Sequence, residues 1–384
     1  LTQLNGRIKQ AVLPSVSNRI IKITLFIRLE ESQEYRFIKT SLQEAMIQHF
    51  PESLPPYSVI AQPPAESDPI WIAMEVSYLE ARDVAVTYHQ YKGLPYARID
   101  SPSLQWICCA GIASEDPSGD FSRQGNANFK LMTEILSENR MTLSDIVRQW
   151  NYIEAITGFD TRKKRYQNYQ VFNGIRSAYY DRHPFKNGYP AATGIGMNGG
   201  GLILECIAVR FKNSDGDQQR PIREITSPVQ HDAYSYSDSV LVGIIRQDSS
   251  SRPTPKFVRA KWIASDAGEL LFVSGTAAID GQNTIPESDI QIQTTNTIEN
   301  IQKLVSTENL FKFGIKKSGF QISHFRVYIK NRPHAETVKR LFDERFPDIE
   351  TIYLISDICR TNLLIEIECM LTKPYDGEPD ENRK

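Results

Sequence analysis

Acid–base chemistry needs a carboxyl that can hold a proton, and the strongest candidate in this sequence is Glu366, in the run Leu363-Leu-Ile-Glu-Ile-Glu368. Side chains alternate along a strand, so Glu366 and Glu368 share one face while Ile365 and Ile367 take the other. A carboxyl partly withdrawn from water has its pKa raised towards neutrality and can serve as a general acid. Glu-x-Glu strands more often line a solvated face, but Arg360, six residues before Glu366, favours a working role, with Glu368 as the second candidate. Guanidinium binds carboxylates through paired hydrogen bonds, which ammonium cannot match, so Arg360 and Arg176 are candidate substrate clamps and Arg210 a weaker third. Cys359 adjoins Arg360. At Thr193-Gly194 and Gly275-Thr276 the absent side chain either lets backbone amides and hydroxyls approach a ligand or simply permits tight packing.

Other chemistries find little support. The six histidines never fall at metal-ligand spacing, and the five cysteines form no CxxC pair, so no metal, no cofactor and no disulfide framework is expected. A GxSxG elbow and a phosphate-binding P-loop are absent; Gly194-Ile-Gly196 precedes a strand-like stretch, not a helix. Lys plus Arg (44) nearly balances Asp plus Glu (46), so no global field favours nucleic acid or an anionic membrane surface. An anionic small molecule must be held by local arginines. No apolar run approaches the roughly 20 residues that span a bilayer, and the N-terminal stretch lacks signal-peptide order, so a cytoplasmic location is expected.

Internal repeats indicate what positions these residues. A hairpin feeding a helix occurs twice: Trp106-Ile-Cys-Cys-Ala-Gly-Ile-Ala113 resembles Leu271-Phe-Val-Ser-Gly-Thr-Ala-Ala278, setting Gly111 opposite Gly275, with helices expected near 126–138 and 293–305. A strand–helix–strand–strand unit occurs three times. Its first strands are expected at 23–28, 147–152 and 325–330, and its helices near 35–49, 165–180 and 334–346. Its closing strands carry Glu75, Glu205 and Glu366, read as one register. Antiparallel strands with helices on one face make an α+β fold of tandem layers. The first unit lacks a preceding hairpin. Breaks are expected at 114–123, 213–219 and 248–255, where polar and turn-forming residues cluster. The leading segment before Ile20 and the polar stretch 306–316 receive no role.

The closing segment resembles the RidA (YjgF-like) superfamily, whose pattern of a Ser-Gly-Thr-Ala hairpin, a Gln-led helix, a strand, and an Arg before Glu-x-Glu is matched by Ser274-Gly-Thr-Ala277, 293–301, 325–330, Arg360 and Glu366-Ile-Glu368. In that superfamily an arginine binds the substrate carboxylate and a glutamate handles water. By resemblance those roles fall to Arg360 and to Glu366 or Glu368. Two more stretches, Tyr169-Gln-Val-Phe-Asn173 with Arg176 and Pro190-Ala-Ala-Thr-Gly-Ile-Gly196, resemble chorismatases, as does Asp357-Ile-Cys-Arg-Thr-Asn-Leu-Leu-Ile-Glu366.

This resemblance implies tandem RidA-like repeats of chorismate-mutase-like fold, divided as an N-terminal region over 1–220 and a C-terminal catalytic domain over 221–384. It implies a hydrolase or lyase that releases pyruvate from chorismate. Glu366 then protonates the enolpyruvyl methylene, while Arg360, Arg176, Arg210, Thr193, Gly194, Gly275 and Thr276 hold the substrate. A cysteine at 359 implies 3-hydroxybenzoate rather than the dihydrodiol as product, its thiol assisting proton removal if Arg360 lowers the thiol pKa. The aromatic residues of 169–180 are expected to pack against the sheet. An imine or enamine deaminase and a non-catalytic metabolite-binding relative are the competing functions. Monomer and homotrimer are both compatible with fused repeats.

Overall fold

A computed structural model describes residues 19–66, 71–79, 84–114, 120–159, 166–212, 221–241, 252–265 and 268–374. The expected break at 213–219 and the leading segment through residue 18 lie outside these, as do residues 115–119 and 248–251 of the other two breaks.

Three sheets follow one plan. In the N-terminal unit β1 (Ile20–Ile27) runs into helix α1 (Tyr35–His49), then β2 (Tyr57–Ile60) and β3 (Ile72–Tyr78), in the order β2-β1-β3. The middle unit adds the hairpin strands β4 (Ala85–Tyr91), β5 (Leu94–Asp100) and β6 (Leu104–Ile112) before α2 (Phe121–Glu138), β7 (Ile146–Glu154), α3 (Asn168–Tyr180), β8 (Ala191–Met197) and β9 (Leu202–Phe211). Its order is β4-β5-β6-β9-β7-β8. The C-terminal unit repeats this with β10 (Ile222–Ile225), β11 (Ala260–Ser265), β12 (Gly268–Ala277), a small β13 (Ile279–Asp280) and β14 (Asn283–Thr284) hairpin, α4 (Ile290–Leu304), α5 (Thr307–Lys312), β15 (Gln321–Ile329), α6 (Ala335–Arg345), β16 (Thr351–Ile355) and β17 (Ile365–Pro374). Its order is β10-β11-β12-β17-β15-β16. In each unit the one parallel pair spans the helical crossover, because parallel neighbours cannot be joined by a tight turn.

The helices follow from apolar spacing and caps. Asp120 accepts a hydrogen bond from the Arg123 amide to start α2, and Asp289 accepts from Gln291 and Ile292 to start α4. One apolar cluster lies between the middle sheet and its helices, around Phe129, Ile135 and Phe172, and another does the same in the C-terminal unit, around Ile298, Ile301 and Phe342. The third joins all three sheets: Leu25 and Phe26, Tyr152 and Ile203, and Phe272 and Tyr328 belong to it. The sheets therefore face one another around a shared centre, with their helices outside. The stretch 306–316 forms α5, which buries Leu310, followed by the buried Ile315. No helix among the described residues is long and apolar enough to cross a membrane.

The register of the closing strands differs from the sequence expectation. Thr24 pairs with Glu75, Trp150 with Glu205, and Arg326 with Glu368. Two residues further on, Phe26 faces Ala73, Tyr152 faces Ile203, and Tyr328 faces Glu366. The repeated glutamate is thus Glu75, Glu205 and Glu368, and Glu366 stands alone, with Ala73 and Ile203 in its place. Aligning the units on a single Glu favoured the wrong member of Glu366-Ile-Glu368, because both point to the same face.

Candidate active site

A cleft opens between the middle and C-terminal units. Helix α3 and strand β8 supply Tyr169, Asn173 and Gly194, the segment before β11 supplies Tyr236 and Arg259, and β12 supplies Gly275. The segment leading into β17 supplies Cys359 and Arg360, and β17 itself Glu366. A bulge lies at this junction, as at the one between the N-terminal and middle units. The register of β12 against β17 shifts between Val273 and Thr276, and β6 against β9 shifts likewise between Cys109 and Ile112. Such bulges re-aim side chains beside functional sites. A Cβ on Gly275 would overlap Glu366 Oε1 and come within 3.1 Å of Thr193 Cγ2, so glycine leaves the room that the carboxyl occupies.

Glu366 and Glu368 sit side by side on the inner face of β17, with Ile365 and Ile367 packed towards the helices. Neither glutamate is on a solvated face. Their environments push them apart. Burial, then the negative charge of Glu368, raises the Glu366 pKa to about 8, against the opposing pull of Arg148 and Arg259. Burial also opposes ionisation of Glu368, but Arg148 and Arg326 overcome it and hold its pKa low. Arg148 Nη2 lies 2.8 Å and Arg326 Nη1 3.2 Å from its oxygens, Trp150 Nε1 donates at 2.7 Å, and the Thr193 hydroxyl donates as well. Divergent pKa values in neighbouring carboxyls assign roles: Glu366 keeps its proton and Glu368 keeps its charge. Glu368 is not among the residues lining the cleft, so it acts on Glu366 from behind.

Two guanidinium groups reach the cleft. Arg360 Nη1 donates to the Gln282 carbonyl at 2.8 Å, and its Cζ lies 5.3 Å from the centre of the Tyr236 ring. Arg259, buried, donates through Nη2 to the Tyr236 hydroxyl at 2.6 Å and through Nε to the His231 carbonyl at 3.0 Å. Tyr236 therefore spaces two cationic forks, an arrangement suited to an elongated dicarboxylate. Sequence reasoning missed Arg259, Arg148 and Arg326. The available signal was a cation inside an apolar, strand-like run, as in Phe257-Val-Arg-Ala260 and Phe325-Arg-Val-Tyr328.

The expected substrate contacts fall in different places. Arg176 is buried behind the cleft wall, with Nη2 donating to Asn173 Oδ1 at 2.7 Å, and it is Asn173 that lines the cleft. Arg210 sits far along β9 opposite Gln105, whereas the middle unit lines the cleft with α3 and β8. The Thr193 hydroxyl accepts from the Gly275 amide at 3.0 Å and from Arg148 at 2.8 Å, and the Thr276 hydroxyl donates to the Ser274 carbonyl at 2.9 Å. These amides and hydroxyls serve the protein. Gly194 does line the cleft, but it makes room for the Tyr169 ring, 2.9 Å from where its Cβ would stand. The expectation that Arg360 lowers the Cys359 pKa also fails: burial, then Glu366, pushes this thiol up to about 12, and Arg360 only partly opposes them. Cys359 is a neutral thiol in the wall.

The equivalent junction between the N-terminal and middle units is closed. Ser58 stands where Thr193 does and accepts from the Gly111 amide at 2.6 Å, the Tyr57 carbonyl blocks the space beside Gly111, and Ile203 replaces the carboxyl. Of these two junctions, the one between the middle and C-terminal units is open.

Residues 84–208 match a family model described as chorismatase FkbO/Hyg5-like, N-terminal. The chain is 29% identical over 294 residues to a 3-hydroxybenzoate synthase of Streptomyces hygroscopicus, covering 74% of this chain and 78% of that one. It is 33% identical over 231 residues to a chorismatase of Streptomyces rapamycinicus, covering 58% and 63%. A crystal structure of a chorismatase superposes with a TM-score of 0.66 at 21% identity, covering 94% of this chain and 95% of that one, which establishes a shared fold.

Proposed function

We propose that the chain, which is similar to chorismatases, is a member of that family and cleaves the enolpyruvyl ether of chorismate, releasing pyruvate and mainly 3-hydroxybenzoate, on a fold of fused RidA-like units. The observation that carries this reading is a proton-holding Glu366 facing a cleft flanked by Arg259 and Arg360. Chorismate has two carboxylates and one acid-labile enol ether, and the cleft offers two guanidinium forks and one buried acid. In this reading the chain divides near residue 220: the N-terminal region contributes α3 and β8, and the C-terminal domain carries the acid. The cleft is lined within one chain, which supports a working monomer. Five free cysteines fit a reducing, cytoplasmic setting.

Glu366 gives its proton to the enolpyruvyl methylene carbon, generating an oxocarbenium ion. Two exits follow. Water adding to that ion gives a hemiketal that collapses to pyruvate and the dihydrodiol. Alternatively, the neighbouring ring hydroxyl displaces the ether oxygen from the ring carbon, pyruvate departs as the ketone, and the hydroxyl proton returns to the Glu366 carboxylate. The strained ring oxide then opens and aromatises to the phenol. This second route consumes no water, and the acid is regenerated. Because the half-buried Cys359 thiol is neutral, its part is to form an apolar wall beside Glu366 that keeps water from the cation. Incubating the purified protein with chorismate, with pyruvate read by a coupled lactate dehydrogenase assay and the organic product by chromatography, should give equal amounts of pyruvate and 3-hydroxybenzoate. Pyruvate with dihydrodiol alone would overturn the product assignment. Ammonia release from an imine substrate, without pyruvate from chorismate, would indicate a deaminase instead.

A further inference from the structure

Among the described residues, the N-terminal unit contributes none to the cleft wall, yet it is wired to it. Each pair of units is joined by an ion pair to the repeated glutamate: Lys22 Nζ to Glu205 at 2.7 Å and Arg148 to Glu368 at 2.8 Å from equivalent positions of β1 and β7, and Arg326, two residues beyond that position on β15, to the half-buried Glu75. The last is bidentate, with Arg326 Nη2 and Nε lying 2.5 and 2.7 Å from the two Glu75 oxygens. Arg326 is fully buried; its Nη1 meets the Tyr152 hydroxyl at 2.9 Å and Glu368 at 3.2 Å.

We propose that Glu75 is a positioning residue for the reaction: from the N-terminal unit it grips Arg326, and through Arg326 it fixes Glu368 behind the Glu366 carboxyl. This rests on Glu366 being the acid. Two cations, Arg148 and Arg326, and two anions, Glu368 and Glu75, balance in a cluster that is buried except at Glu75. With Glu75 neutral, the cluster carries one excess positive charge. That excess offsets Glu368 and favours the ionised form of Glu366, which is useless as an acid. The other groups facing Glu366 stay as they are: Arg148 from β7, Arg259 from the segment before β11, Cys359 and Arg360 from the segment before β17, and Tyr169 from α3. Lys22 and His324 face Glu75 from β1 and β15; burial lowers the His324 pKa and keeps that ring neutral near pH 7.

The test is the alkaline limb of kcat/KM for chorismate. A raised carboxyl pKa means that the acid form is present below the limb and lost as pH rises through it, near pH 8 in the wild type. Glu75→Gln keeps an acceptor for Arg326 but removes the charge, and its limb moves to lower pH by on the order of half to one unit, the scale expected of one buried charge. KM stays within about twofold, since Glu75 touches no substrate. Glu75→Asp restores the wild-type limb. Glu205→Gln, which removes the matching carboxylate at the closed junction, leaves the limb in place. Should Glu75→Gln fold poorly, Arg326→Gln moves the limb upward, and the Glu75→Gln/Arg326→Gln pair returns it. An unmoved limb in Glu75→Gln, or an equal movement in Glu205→Gln, overturns the positioning role. Absence of pyruvate release by the wild type would instead overturn the reaction on which it rests.

Discussion

A carboxyl that must protonate carbon near neutral pH has to keep its proton there, and an ordinary glutamate does not. Glu366 does so because it is buried and because a permanently ionised Glu368 stands beside it. Two adjacent glutamates therefore do opposite things, and the difference lies in their partners: Glu368 is held by Arg148, Arg326, Trp150 and Thr193, whereas Glu366 faces the cleft. The same burial keeps the Cys359 thiol neutral, which removes it as a base and leaves its shape. If Cys359 selects product by excluding water, Cys359→Val, apolar and similar in size, keeps 3-hydroxybenzoate dominant, while Cys359→Ala shifts the mixture towards the dihydrodiol. Chromatography of quenched reactions reads both. Loss of 3-hydroxybenzoate in Cys359→Val would restore a chemical role for sulphur.

At the scale of elements, the site depends on the absent side chain at Gly275, beside the β12 bulge. Gly275→Ala places a methyl against Glu366 Oε1. The carboxyl must turn away, and a displacement of about 1 Å at a reacting group costs on the order of 100-fold in kcat. Steady-state kinetics with circular dichroism should show this loss in a folded protein; wild-type kcat would mean that the carboxyl has room that the geometry denies. Strands and helices were largely legible in the sequence because alternation and helical spacing are local: 35–49 was expected as a helix and is one, and β17 alternates as Glu366-Ile-Glu368 requires. Register across the repeats was not. It depends on which residue of β1, β7 or β15 faces which residue of β3, β9 or β17, information carried by pairing rather than by either strand alone.

At the scale of the molecule, three sheets facing a common centre create repeated junctions, of which one is closed and another open. Ile203 and the Tyr57 carbonyl fill the junction that Glu366 and Gly275 keep open. Arg360, Gly275 and Glu366 were legible because they stand in a recognisable closing motif. Arg259 and Tyr236 were not, since they come from a connecting segment whose path to the cleft only the assembled fold reveals. Arg176 shows the converse: its motif marks the wall, and the arginine stands behind that wall, bonded to Asn173. All of this converges on one carboxyl, and Glu366→Gln tests it most directly, because the amide preserves size while removing the proton that is transferred. Pyruvate release from chorismate by this variant should fall by roughly 100-fold or more, while chorismate binding, measured by calorimetry, stays near the wild-type value. Turnover within a few-fold of wild type would contradict the account.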